Sequence, residues 1–269
     1  MVERAIVLQA SNRSTLRLLP SDVVARVAHT SHGAMQLEVA LAASLASLDA
    51  AVATPDARVP ARVYQRDGFA ITLWTYYDSQ PSRELAPDAY ANALLRLHQA
   101  MQHVDLPTPH FLDRVNEAAE IVGNPERTPA LREPDRILLT STFSSVTRAI
   151  SEGGSVEQVL HGEPHAGNVL NTASGPLFID LETACRGPVE FDLAHVPQDV
   201  SAGYPDIDQT LLRQCRMLVL AMVAAWRLEP GDRLPRGASP AAELIAALRA
   251  GPPYATLDAV GRGGPIEAL

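Results

Sequence analysis

Between Val159 and Glu182 the chain reads Val-Leu-His-Gly-Glu-Pro-His-Ala-Gly-Asn-Val-Leu, then Asn-Thr-Ala-Ser-Gly-Pro, then Leu-Phe-Ile-Asp-Leu-Glu. Two short apolar runs, Asn168 to Leu170 and Leu177 to Ile179, flank a segment of turn formers, a pattern that predicts a hairpin. Such a hairpin returns Asp180 to the side of Asn168. Glu163, Asn168 and Asp180 then supply one carboxylate beside a reacting hydroxyl and two oxygen ligands for a hard cation. Phosphoryl transfer needs that set, because its catalysis is mostly positioning and charge stabilisation.

Two other chemistries compete for the same residues. A His-x-Glu pair also occurs in zinc deaminases, but these require a downstream Pro-Cys-x-x-Cys, and the only cysteines here are Cys185 and Cys215. His161, Glu163 and His165 would alternate on one strand face as a metal cluster, yet Gly162, Pro164 and Gly167 favour a loop. A hydrolase finds no Gly-x-Ser-x-Gly elbow in the sequence.

At these residues the chain resembles the aminoglycoside phosphotransferases, relatives of choline kinases and more remotely of protein kinases. The family pattern is His-Gly-Asp-x-x-x-x-Asn. Here His161 and Asn168 keep its spacing, and Glu163 stands where aspartate is usual. The resemblance implies an α+β, two-lobed, protein-kinase-like fold: a small N-terminal β-sheet lobe with one helix, and a larger, mainly helical C-terminal lobe. It implies Mg2+ held by Asn168 and Asp180, ATP or GTP as co-substrate, a small-molecule hydroxyl acceptor, and Glu163 as the catalytic carboxylate. His161 and Glu182 would support the site. The segment Arg186-Gly187-Pro188-Val189-Glu190-Phe191-Asp192-Leu193-Ala194 matches a further family stretch, and Asp192 would cap a helix and hold the catalytic loop.

The N-terminal pattern agrees. Ala5 to Gln9, Thr15 to Leu19 and Asp22 to Ala28 are β-rich runs; Met35 to Val52 places Leu37, Leu41, Leu45 and Leu48 at helical spacing; Ala61 to Gln65 and Phe69 to Tyr76 form a hairpin around Arg66-Asp67-Gly68. The family's basic strand residue and its helical glutamate map onto Arg26 and Glu38. All 22 basic residues are arginine, so no lysine-dependent mechanism is available. Ser11, Asn12 and Ser14 lie in a glycine-free turn that would bind phosphate through hydroxyls and amides. Trp74 and Tyr76 border the expected hinge at 74–80, which divides a nucleotide lobe, 1–76, from a catalytic and acceptor lobe, 77–269.

Farther on, the spacing predicts helices over Asp88 to Val104, Arg136 to Glu152 and Leu211 to Leu228, with 105–135 as an irregular insertion and Gly251 to Leu269 loosely packed. A net charge of −9 without a basic block argues against nucleic acid and would attract a cationic acceptor. The start carries no basic leader with a long apolar core, and the longest apolar run, Met217 to Trp226, is about half a membrane span. Neither a signal peptide nor a membrane partner is expected. A cytoplasmic location follows as the default. Oligomeric state is left open, as is a second function class: a kinase-like protein that binds nucleotide or metabolite without transferring phosphate.

Overall fold

A computed structural model describes residues 2–10, 13–30, 34–79, 85–230 and 240–261. Ser11 and Asn12 lie outside the described residues. The chain divides into two compact units, Met1–Thr108 with His161–Ala184, and Pro109–Leu160 with Cys185–Leu269. This grouping differs from a division at residue 76, because the chain leaves the first unit and later returns to it.

The chain begins with strands β1 (Arg4–Ala10), β2 (Ser14–Leu19) and β3 (Val23–His29), followed by helix α1 (Ala34–Ala46), strands β4 (Tyr64–Arg66) and β5 (Phe69–Thr75), and helix α2 (Pro87–Met101). The strands form one antiparallel sheet in the order β1-β2-β3-β5-β4. The hairpin into β5 turns at Asp67 (φ 51°) and Gly68 (φ 81°), as a tight two-residue turn demands. Helix α1 stops at Ala46, short of the expected Val52. Asp49 takes a left-handed conformation, and the backbone of Ala51 and Ala53 is engaged elsewhere, by Phe178.

Next come α3 (Phe111–Gly123), α4 (Glu133–Gly153) and the short strand β6 (Gln158–Leu160), all in the second unit. Helix α3 corrects the expectation of an irregular 105–135 segment. Of the prolines in 105–135, Pro107 and Pro109 precede the helix and Pro125, Pro129 and Pro134 follow it, so none interrupts it. His110 and Asp113 form a reciprocal capping box, and Phe111, Val115, Ala118, Ile121 and Val122 make a buried stripe.

The chain then re-enters the first unit through the hairpin β7 (Val169–Thr172) and β8 (Gly175–Phe178), joined by Ala173-Ser174. Phe178 N–H donates to Ala51 O (2.8 Å), and Phe178 O accepts from Ala53 N–H (2.9 Å). Its ring is fully buried beside Tyr90 and His161, with centroids 5.9 and 5.6 Å away.

The second unit closes with β9 (Cys185–Gly187), paired to β6, and helices α5 (Val189–Leu193), α6 (Gln198–Ala202), α7 (Gln209–Leu228), α8 (Ala241–Ala250) and α9 (Leu257–Gly261). Helix α7 is its hub, packing on α3, α4, α5 and α8. The protein is thus α+β, with an N-terminal antiparallel sheet and a larger, helical C-terminal part. Among the described residues no helix is long and apolar enough to cross a membrane. Phe178→Ala should cost about 3–5 kcal/mol of stability by the usual price of a buried aromatic truncation, read by urea denaturation. A loss below about 1 kcal/mol would show that Phe178 does not anchor the β7–β8 hairpin.

Candidate active site

The loop His161–Asn168 is held from several sides within the first unit. Gly162 has φ +90°, and a Cβ there would lie 2.0 Å from Thr183 O, so both backbone conformation and space require glycine. His161 is fully buried; its Nε2 lies 3.0 Å from Ile179 O, and its Nδ1 faces Glu163 N–H at 3.4 Å. Through these partners His161 ties the loop to the end of the hairpin at Ile179. Thr183 Oγ1 donates to His161 O (3.2 Å), and the Tyr90 hydroxyl donates to Pro164 O.

Asn168 is oriented by the loop itself. Its Nδ2 donates to Glu163 O at 3.0 Å, which leaves the amide oxygen as the group for a cation. Ile179 N–H donates to Asn168 O (2.9 Å), so the expected hairpin returns Asp180 to the residue next beyond that pair. Asp180 sits at φ 70°, ψ 60°, a left-handed conformation that costs a non-glycine residue about 1–3 kcal/mol. The strain turns the chain sharply into the Leu181–Thr183 turn, which packs on α1.

Five charged side chains meet there. Arg26, on β3, is buried and pairs with Glu38 of α1, whose side chain is fully buried. Arg13, just before β2, reaches Glu38 (3.3 Å), Glu182 (2.7 Å) and Asp180. Burial by itself pushes the Asp180 carboxyl up, but the nearby positive charges, Arg13 foremost and Arg26 with it, together outweigh this and hold it below the usual range. For Glu182 burial wins, and its carboxyl is raised.

Arg13 was not legible as a site residue from hydroxyl-rich turn chemistry. The available signal was period two: Arg13, just before β2, has the same parity as Thr15 and Arg17 within it. Thr15 lines the cavity described below, and the Arg17 guanidinium lies 3.6 Å from the centre of the Tyr76 ring. Ser14 has the opposite phase. It opens β2, paired with Ala10 and Val27, and is not among the residues lining the cavity.

The cavity, about 410 Å³, lies within the first unit and is asymmetric. Leu8, Val24, Ala53, Trp74, Leu170 and Ile179 give it apolar walls, while Arg26 and Asp180 mark a charged end. Leu8 and Gln9 both line it although they are adjacent in a strand. The irregularity of β1 between Val7 and Gln9 allows this. Trp74 is anchored by Nε1 donating to Thr72 Oγ1 (2.8 Å), and Tyr76 lines the same wall.

Asp180 Oδ1 is buried and forms an ion pair with Arg13. Among the described residues no three His, Cys, Asp or Glu side chains form a metal cage. One carboxylate and one amide oxygen, with phosphate oxygens and water completing the shell, fit Mg2+ better than a transition metal. Asp192 is not the N-cap of α5: Pro188 holds that position, and Asp192 is buried inside that helix, in the second unit. Together with burial and Glu190, its charge raises the Tyr204 phenol.

The sign of the Glu182 shift is testable. A carboxyl raised above 4.5 binds its proton more tightly in the folded chain, so stability is lost as pH rises through the window between 4.5 and the raised value. Glu182→Gln should therefore gain stability relative to wild type between pH 4 and pH 8 in chemical denaturation. An unchanged difference would contradict the raised carboxyl. Asp180 has the opposite sign, its contribution vanishing only as pH falls below 3.8.

Solved structures similar to this chain include an amicoumacin kinase in complex with AMP-PNP and Ca2+, with 12% identity and a TM-score of 0.66 over 91% of this chain and 86% of that one. A spectinomycin phosphotransferase with ADP and its antibiotic matches at 14% identity and a TM-score of 0.63, covering 96% of this chain and 92% of the other. A putative fructosamine-3-kinase from Haemophilus somnus matches at 12% identity and a TM-score of 0.66, covering 92% of each. No curated protein matches at the level of sequence. These likenesses carry the fold, whereas the model of the phosphotransferase enzyme family matches residues 3–253. The chain belongs to the phosphotransferase enzyme family.

Proposed function

We propose that the protein is a small-molecule kinase that transfers the terminal phosphate of ATP or GTP to a hydroxyl of an antibiotic or metabolite. The observation that carries this reading is the presence of Arg26, paired with Glu38, and Asp180 at the charged end of a cavity with large apolar walls and room for a nucleoside. The purine would lie along Trp74 and Tyr76, and Arg26, oriented by Glu38, would neutralise phosphate charge. Ser11, Asn12 and Ser14 belong to the turn that would cover the phosphates. The hinge at 74–80, between a 1–76 nucleotide lobe and a 77–269 acceptor lobe, is part of the same reading.

Asn168 and Asp180 would hold Mg2+, which when bound neutralises charge on the transferred phosphoryl group. Glu163 would orient the acceptor hydroxyl and accept its proton. The loop fixes its backbone through His161 Nδ1 and Asn168 Nδ2, so the extra methylene relative to aspartate must be absorbed by the side chain. The complexes of the similar kinases with nucleotides, with Ca2+ and with spectinomycin support a nucleotide, a divalent ion and a small-molecule acceptor here. The charge of −9 favours a cationic acceptor. Antibiotic resistance is one role such an activity would have.

The rival reading, binding without transfer, draws on Glu163 in place of aspartate. Incubation with Mg-nucleotide and a panel of aminoglycosides, other antibiotics and amino sugars, with mass detection of product, separates the two. Asp180→Ala should lower turnover by about 100-fold or more, as loss of a charge-stabilising group does. Glu163→Gln should lower turnover with nucleotide affinity nearly unchanged. Nucleotide binding with no phosphorylated product across the panel would favour the rival.

A further inference from the structure

The charged end of the cavity has a second arginine that the family pattern does not call for. Arg13 keeps only 9% of its side chain exposed, and it meets Asp180, Glu182 and Glu38 at once. The Asp180 atom it meets is Oδ1, which is buried. A guanidinium fork suits a carboxylate and a phosphate equally. A magnesium ion about 2.1 Å from the same carboxylate would repel a guanidinium left in place. The turn that carries Arg13 has no glycine between Ala10 and Thr15, and the chain has no lysine. Charge must therefore come from arginine wherever phosphates are to be held at this turn.

We propose that Arg13 is an exchangeable phosphate-binding residue, a reading that rests on the proposed kinase function. In the nucleotide-free protein its guanidinium neutralises Asp180 and Glu182. With the metal–nucleotide bound, Asp180 would serve the metal ion and Arg13 would pair with a phosphate oxygen. Three carboxylates, Glu38, Asp180 and Glu182, face two arginines here, and a bound metal would replace the charge that Arg13 withdraws.

The test uses the whole chain and two probes, Mn2+ alone by electron paramagnetic resonance and Mg-AMP-PNP by calorimetry. Arg13→Ala should bind Mn2+ about tenfold more tightly and Mg-AMP-PNP about tenfold more weakly, opposite shifts that a purely structural arginine does not produce. Unchanged values, shifts in one direction, tighter Mn2+ with unchanged nucleotide affinity, or no Mn2+ binding by either protein would each overturn the exchange. If Arg13→Ala does not fold, Arg13→Gln removes the charge, retains an amide donor and is read in the same two ways. Wild-type protein that binds no nucleotide would remove the kinase reading and this proposal with it. Wild-type protein that binds nucleotide, beside an unaltered Arg13→Ala, removes this proposal alone.

Discussion

Phe178 bonds through both its N–H and its carbonyl to the extended Ala51–Ala53 segment, and its ring fills the space between Tyr90 and His161. The site depends on this one residue more than on any charged group. It ties the end of β8 to the chain that follows α1, so Asp180, two residues later, emerges where Glu38 also points. His161 then bonds to Ile179 O, and the loop and the hairpin hold each other. A carboxylate in a strained left-handed conformation persists only in such a frame, since nothing local would keep Asp180 there.

The second constraint is electrostatic. Glu38 is fully buried, Asp180 and Glu182 are mostly so, and three carboxylates this close cannot all stay charged without cations among them. Arg26 and Arg13 supply the charge, and the opposite shifts of the Asp180 and Glu182 carboxyls record how unevenly it is shared. With lysine absent, planar forks replace a point charge, which favours paired contacts with carboxylate or phosphate.

Much of this was legible beforehand because the signals were local. The β7–β8 hairpin followed from turn formers between apolar runs, and the family resemblance mapped its basic strand residue and helical glutamate onto Arg26 and Glu38, which do pair. Other features were hidden because they depend on contacts distant in sequence. Helix α1 ends early because Ala51 and Ala53 pair with Phe178, which is more than a hundred residues away. Helix α3 was obscured by prolines that turn out to mark its approach. Arg13 looked like a turn residue, since only the packed structure shows that its side chain meets Glu182.

By itself the sequence determined the chemistry available: a Glu163, Asn168 and Asp180 set at kinase-like spacing, arginine as the only strong cation, and an α+β order of elements. Those are matters of residue type and short-range periodicity, which neighbouring residues alone decide. The tertiary structure decided which charges share a space, placed Thr15 rather than Ser14 on the cavity face, moved Asp192 from a cap to a helix interior, and joined Arg13 to Asp180. The physical reason is that burial and pairing are properties of groups brought together by folding, and no window along the chain contains both partners.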